Sequence, residues 1–267
     1  MKGPTVYIDA VGLCGPGLAG WHVSLPVLSG AAPYLAAATQ IPTADRLPAA
    51  ERRRVGTSVK LALAVAEDAL QSGQHDASDL LSVFSSSGGD GDNCHLICEA
   101  LAGPERLLSP TRFTNSVHNA PSGYWGIALK ARRASTSLCA FDGSFAAGLL
   151  EAATQAVSAQ APVLLVAYDT PYPEPLRAAR PIAYSLGVAL VIGAKPTPAS
   201  LVALQITLGQ RSPDTLADEQ LEALRCNVPA ARSLPLLQAL ALGKTGVSLS
   251  LDMFPNQQLL LRLSAAS

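Results

Sequence analysis

The residues of this sequence that could act in nucleophilic chemistry lie at one sharp break. Residues 135–139 predict a strand of small residues, the chain breaks at 140–142, and a helix restarts at Gly143. Such a strand-to-helix turn lifts one side chain to the top of a sheet, where enzymes place nucleophiles. Cys139 is the thiol at the break, and His118 is its only plausible base. One hypothesis is therefore a small thioester enzyme, such as an acyltransferase, that uses Cys139.

A glycine motif follows the first predicted strand, residues 6–11. Gly15, Gly17 and Gly20 match the pattern G-x-G-x-x-G of dinucleotide-binding proteins. That interpretation needs a helix opening in the motif and an acidic residue about 20 positions later for the ribose. Pro16 interrupts the motif and no acidic residue follows at that distance. The motif is therefore interpreted as a glycine-rich loop, and no cofactor is predicted.

A second cluster of possible ligands lies on one predicted helix turn. Cys94, His95 and Cys98 are soft metal ligands, but no second ligand pair follows at the spacing of a zinc site. Asp90 and Asp92 lack the other ligands of a calcium loop and are interpreted as helix caps. The sequence therefore favours structural cysteines and predicts no metal.

The composition excludes several classes of protein. The chain has 267 residues, 49% of them hydrophobic and 15% charged, with a net charge of −1. This balance gives no basic surface for nucleic acid, and no apolar run reaches the about 18–20 residues of a membrane span. The first residues do not resemble a signal peptide, and five cysteines without framework spacing suit a reducing cytosol. A cytoplasmic protein without a membrane span is predicted, and its mean hydropathy of +0.26 favours a large apolar interface.

The hydrophobic pattern predicts alternating strands and helices, and hence an α/β fold built of layers. The remaining segments, notably 21–47, 111–122 and 169–181, are predicted to be loops. Predicted strands cover 6–11, 81–84, 135–139, 162–168, 182–193, 201–208, 246–251 and 257–263, and predicted helices cover 48–72, 93–99, 124–131, 146–157, 217–226 and 234–242.

The sequence resembles the β-ketoacyl synthases of the thiolase superfamily, and specifically their short relatives that resemble chain length factors of aryl polyene pathways. The resemblance extends from residue 6 to about 193. It rests on segments 6–12, 81–86, 109–120, 123–125 and 145–152. It implies one thiolase-like, ketosynthase-like domain over 1–267, with a full N-terminal half-repeat at 1–193 and a truncated C-terminal half at 194–267.

The resemblance also implies that the chain is catalytically silent. In the synthases the nucleophile lies in the pattern Ala-Cys-x-x-Gly-x-x-Ala, and Gly143 with Ala146 matches its end. Counting back three residues from Gly143 gives Ala140, a vestigial nucleophile position. Cys139 is one residue early, which in a strand points it to the other face. The synthases keep their histidines after the nucleophile, whereas this chain has no histidine after His118.

We therefore predict a non-catalytic chain length factor that forms a heterodimer with an active β-ketoacyl synthase. By resemblance, strand 135–139 pairs across a two-fold axis, and residues of this subunit wall the acyl tunnel of its partner, with acyl carrier protein engaged indirectly. The predicted tunnel residues are Asn93, Leu96, Ile97, Phe113, His118, Ser122 and Tyr124. The predicted interface residues are Ser135, Ser137, Leu138, Cys139, Asn119 and Trp125.

Three alternatives remain open from the sequence. His118 and Asn119 could instead be a hydrogen-bonded pair that fixes the loop before the interface helix. Tyr124 and Trp125 could be plain core residues. The chain could also be a homodimeric scaffold that recruits acidic acyl carrier protein through Arg132-Arg133 and Arg177 with Arg180, although these arginines could equally be solvated surface.

Overall fold

The computed structural model describes residues 3–266, and its strands form one sheet. The strand order is β4-β3-β5-β6-β1-β7-β9-β8, with the short β2 paired to β1. The strands are β1 (Thr5–Gly15), β2 (Leu18–Ala19), β3 (Leu81–Ser85), β4 (Ser135–Leu138), β5 (Val163–Asp169), β6 (Leu186–Gly193), β7 (Val202–Gly209), β8 (Ser248–Phe254) and β9 (Gln257–Ser264). The predicted mixed α/β layering is confirmed.

Ten α-helices cover the sheet within the described residues. They are α1 (Trp21–Leu28), α2 (Ala49–Arg52), α3 (Thr57–Gly73), α4 (Gly91–Ala102), α5 (Pro110–Thr114), α6 (Ala120–Leu129), α7 (Ser144–Ala159), α8 (Leu176–Ala179), α9 (Glu219–Asn227) and α10 (Leu234–Ala241). Short 3-10 helices occur at Ala77–Asp79, Phe141–Gly143 and Pro229–Ser233.

Four expectations about the helices were wrong. The predicted loop at 21–47 begins with α1, because Trp21 and Leu28 bury one face of that helix in the core. The predicted helix at 48–72 is two helices, since the backbone of Gly56 is extended between α2 and α3. The predicted loop at 111–122 contains α5 and the start of α6, whose first turns carry a proline. The predicted loop at 169–181 contains the short helix α8.

The centre of the sheet is buried on both faces. Strands β5 and β6 are buried at every residue, with α7 on one side and α3 on the other. A Cβ on Gly12 of β1 would lie 2.0 Å from the carbonyl oxygen of Val65, so α3 approaches the strand as closely as backbone allows. This close packing explains why the central layers are rich in glycine and alanine.

The chain after Gly193 extends the same sheet. It contributes β7, β8 and β9 with α9 and α10. Strand β7 pairs with β1 and β9, so the first and second parts share one sheet.

The two ends of the sheet differ. At β8 the free edge is covered by the loop after β7: the amide of Asp214 donates to the Ser250 carbonyl at 2.8 Å, and the Ser250 amide donates to the Asp214 carboxylate at 3.0 Å. At β4, no other strand of residues 3–266 pairs with the outer edge. An open edge is a template for strand addition, so β4 is where another chain can extend the sheet.

Candidate functional site

The site is the turn between β4 and α7, which we call the elbow and define as residues 139–143. Phe141 has a φ of 51°, in the left-handed region, whereas Ala140 before it has a φ of −140°. The Ala140 amide donates to the Ser144 hydroxyl oxygen at 3.0 Å, and that hydroxyl donates to the Phe141 carbonyl at 2.7 Å. The helix therefore begins with a turn that Ser144 holds from both sides.

Gly143 brings the elbow into contact with the second half of the chain. A Cβ at this position would lie 2.0 Å from the carbonyl oxygen of Met253, on β8. Real Cβ atoms do not approach backbone so closely, so only glycine fits here. The glycine of the family pattern is thus explained by packing against the final hairpin.

The geometry does not support Cys139 as an enzyme nucleophile paired with His118. Cys139 is exposed, and its thiol donates to the carbonyl oxygen of Ser87 at 3.0 Å. The Nε2 atom of His118 lies 3.0 Å from the carbonyl oxygen of Leu138. Each group is therefore bonded to backbone, and His118 ties the loop before α6 to the end of β4, with Leu138 and not Asn119 as its partner.

A chain of alternating charges runs from the elbow into the second half of the protein. Asp142 binds Arg180 at 2.6 Å and Arg232 at 3.2 Å, and Arg232 also contacts Asp252 at 3.3 Å. At the far end of this series, the hydrogen bond from Arg225 lowers the pKa of Glu222 to about 2. In order, the members are Arg180, Asp142, Arg232, Asp252, Arg225 and Glu222.

Sequence reasoning missed this charged chain. Its six members lie on the elbow, directly after α8, on α9, on β8 and on the 3-10 helix Pro229–Ser233. Residues that meet only through tertiary packing leave no spacing signal. Each arginine has a carboxylate partner, so this series of ion pairs links the elbow to the second half of the protein. It leaves no free base beside the elbow.

A cleft of about 580 Å³ opens beside the elbow, between the elbow and the β8–β9 hairpin. Its walls combine apolar side chains with members of the charged chain. They are formed by Ala140, Phe141, Asp142, Gly143, Pro213, Arg232, Asp252, Met253, Phe254, Pro255 and Gln258. In the part of the chain that the structure describes, no group of three or more histidine, cysteine or carboxylate side chains could hold a metal ion.

Asp169, at the end of β5, is fully buried beneath this region. Its carboxylate accepts hydrogen bonds from the Ser87 amide at 2.8 Å, the Ser87 hydroxyl at 2.5 Å and the Ala230 amide at 2.9 Å. Burial raises the pKa of Asp169 to about 6, although these hydrogen bonds and the charge of Arg180 oppose the rise. Asp169 thereby joins the loop after β3 to the second half.

The raised pKa gives a pH dependence of stability. The folded state binds this proton more tightly than the unfolded chain, so the contribution of Asp169 is most favourable below about pH 4 and is lost as pH rises through about 6. We expect the unfolding free energy of the wild type, minus that of Asp169→Asn, to fall by about 2–3 kcal/mol over this range.

Urea unfolding at pH 4, 5, 6 and 7 measures this difference. The exposed Asp79→Asn variant is the control for removing a surface carboxyl. The asparagine variant loses part of the hydrogen bonding at every pH, so the test is the slope and not the offset. A difference that rises with pH would contradict the assignment.

The predicted tunnel residues fall into two groups. Leu96 and Phe113 are exposed and Ile97 is half-buried, whereas Asn93 is buried and donates from its side-chain amide to the Arg112 carbonyl at 2.9 Å. Tyr124 is also buried. Its hydroxyl donates to the Asn115 side-chain oxygen at 3.0 Å, and the hydroxyl of half-buried Ser122 donates to the Asn119 carbonyl at 2.9 Å.

The predicted interface residues are also divided. The side chains of Ser135, Cys139 and Asn119 are exposed, and those of Ser137 and Leu138 are half-buried at the open edge. Trp125 is 2% exposed and packs in the chain's own core, as in the core alternative. Seven large apolar side chains remain exposed on α4, α5, α6 and the loops between them: Leu96, Leu101, Leu107, Leu108, Phe113, Val117 and Ile127.

The fold is that of ketosynthases and their chain length factors. A structure of the ketosynthase ApeO in complex with its chain length factor ApeC, from Xenorhabdus doucetiae, matches with a TM-score of 0.73 and 23% identity over 97% of this chain and 99% of that chain. The ishigamide ketosynthase/chain length factor matches with a TM-score of 0.73 and 12% identity over 98% and 100%. No curated protein sequence matches.

A β-ketoacyl synthase from Burkholderia phymatum STM815 is less similar, with a TM-score of 0.58 and 12% identity over 86% of this chain and 71% of that chain. The family model of the β-ketoacyl synthase N-terminal domain matches residues 29–253. The chain therefore belongs to the β-ketoacyl synthase family. No helix among residues 3–266 is both long and apolar enough to cross a membrane.

Proposed function

We propose that the chain is a non-catalytic chain length factor, the silent subunit of a heterodimer with an active β-ketoacyl synthase. The observation that carries the proposal is an elbow without a working nucleophile next to an open edge strand. Cys139 and His118 are both bonded to backbone, and no histidine follows residue 118. Solved ketosynthase and chain length factor pairs share the fold over nearly the whole chain.

The geometry of β4 supports pairing through its outer edge. The amide of Ser82 on β3 and that of Ser86 just after β3 donate to the carbonyls of Ala134 and Leu138, so the main-chain groups of alternate residues along 134–138 face β3. The main-chain groups of Ser135 and Ser137 therefore face outward. A partner strand could accept and donate hydrogen bonds there and continue the sheet.

The exposed apolar surface beside β4 fits the second part of the proposal. Seven large apolar side chains on and between α4, α5 and α6 are exposed in the isolated subunit. Exposed apolar surface of this kind marks a site of interaction with another protein. In the heterodimer they would be covered, and Leu96, Ile97 and Phe113 would wall the acyl tunnel of the partner. Side-chain volume there would set how far a chain in aryl polyene-type synthesis can grow.

We infer that acyl carrier protein also binds the complex and that it docks on the active subunit. In one solved complex of this fold, a type II polyketide synthase acyl-carrier protein is bound to its ketosynthase. We further infer a single domain over 1–267, since both parts share one sheet, and a cytoplasmic location, which suits five free thiols.

Co-expression with a β-ketoacyl synthase from the same organism tests the proposal. We expect a stable one-to-one heterodimer by size-exclusion chromatography with light scattering, and a product of altered length when this chain is omitted. The Cys139→Ser variant should support the same product, because the thiol has no catalytic role.

Three results would overturn the proposal. A heterodimer that never forms would do so, and so would a product that does not change without this chain. A stable homodimer of this chain alone that binds acyl carrier protein would favour the scaffold alternative instead.

A further inference from the structure

One residue of the elbow, Phe141, has a strained backbone. It is not Ala140, the position obtained by counting back from Gly143. Phe141 has a φ of 51°, which costs a bulky side chain about 1–2 kcal/mol. Three of the four other non-glycine residues with positive φ among residues 3–266, Gln74, Lys130 and Gln160, end helices, where the conformation is common. Phe141 begins a helix, so its strain has another cause.

The surroundings hold Phe141 in this conformation and leave its ring accessible. Phe141 is 61% exposed and lines the cleft of about 580 Å³. The Arg180 guanidinium stacks 3.7 Å from the ring centroid, and Arg180 is itself fixed by Asp142 at 2.6 Å. Strain of this kind persists where the surroundings over-determine a residue, and it concentrates at functional turns.

We infer that Phe141, and not Ala140, occupies the nucleophile seat of this elbow, by which we mean the strained position that presents a side chain into the cleft. A nucleophile at the top of a sheet sits on a sharp, strained strand-to-helix turn. Within the elbow only Phe141 has a positive φ, and the 3-10 turn Phe141–Gly143 begins at this residue, whereas Ala140 before it has a negative φ. The inference rests on the proposed function and deepens it: an aromatic ring fills the seat, so the site is blocked as well as inert.

The charges around the seat predict how a thiol would behave there. Arg180 comes from the end of α8 and Arg232 from the 3-10 helix Pro229–Ser233, while Asp142 lies between them and Asp252 follows on β8. The two arginines are balanced in number by Asp142 and Asp252, but Arg180 lies directly over the side chain of residue 141. The start of the 16-residue helix α7 adds positive potential. A thiolate in the seat should therefore be stabilised.

The test compares two engineered thiols, Phe141→Cys and Ala140→Cys, in a Cys139→Ser background. Each is alkylated with iodoacetamide, in which the thiolate displaces iodide and forms a thioether, and peptide-resolved mass spectrometry follows the rate from pH 5 to 10. We expect the rate at pH 7, relative to the plateau at high pH, to be at least about tenfold higher for Phe141→Cys. An equal or higher ratio for Ala140→Cys would overturn the inference.

A second measurement keeps the inference testable if a thiol variant folds poorly. Glycine tolerates positive φ, so Phe141→Gly should be at least as stable as Phe141→Ala, whereas Ala140→Gly should be less stable than the wild type. The reverse order would place the strain at Ala140 and overturn the assignment. Both measurements use the isolated chain, so failure of heterodimer formation overturns the proposed function separately.

Discussion

The Gly143→Ala variant is expected to lose about 3 kcal/mol or more of folding free energy. The new Cβ would lie 2.0 Å from the Met253 carbonyl oxygen and 2.8 Å from its carbonyl carbon. Both atoms belong to the backbone of β8, so no side-chain rotation can relieve the contact. Either the hairpin or the elbow must move, and the ion pairs between Asp142 and the second half should weaken with it.

Urea unfolding followed by circular dichroism measures this loss. Gly123→Ala is the matched control, because Gly123 lies in α6 and no atom is within 4 Å of a Cβ built there. Alanine should stabilise that helix by up to about 1 kcal/mol. If Gly143→Ala is as stable as the control variant, the close packing of the elbow against β8 is wrong.

The second large effect concerns assembly. Ser137→Pro should weaken the heterodimer by about a hundredfold while leaving the isolated chain folded. Proline removes the outward amide of Ser137, and it is tolerated in edge strands where that amide faces solvent. The partner's acceptor would then be buried without its hydrogen bond, which costs about 1–3 kcal/mol.

Two substitutions in the same strand separate pairing from folding. Ser137→Ala keeps the amide and should bind the partner normally. Thr136→Pro removes an amide that faces β3, so it should destabilise the isolated chain itself. Binding is measured by titration of the purified ketosynthase. Wild-type affinity in Ser137→Pro would show that the partner does not pair with β4.

The sequence predicted much of the fold because periodic burial is a local signal. Strands β5 and β6 read as continuous apolar runs, and they are buried at every residue. The prediction failed where local signals conflict. The break at Gly56 lies inside a region of helical pattern, and α1 carries a proline within it. In both cases the burial of side chains in the folded core, and not the local sequence pattern, determined which residues are helical.

The candidate site was predictable only in part. The strand-to-helix break and its glycine are local motifs, so the elbow could be located from the sequence. The charged chain could not, because Asp142 and Arg232 are 90 residues apart and meet through packing. The strain at Phe141 was also hidden, since the backbone angle of one residue in a turn leaves no mark on composition or spacing.

The capped edge at β8 has a consequence for stoichiometry. Backbone groups of Ser248 and Ser250 are already bonded to Arg211 and Asp214, so that end of the sheet cannot receive a further strand. A sheet with one open edge strand and one covered edge can add one partner strand and no second one. Growth of fibrils or longer arrays through the β8 edge is therefore excluded at any protein concentration.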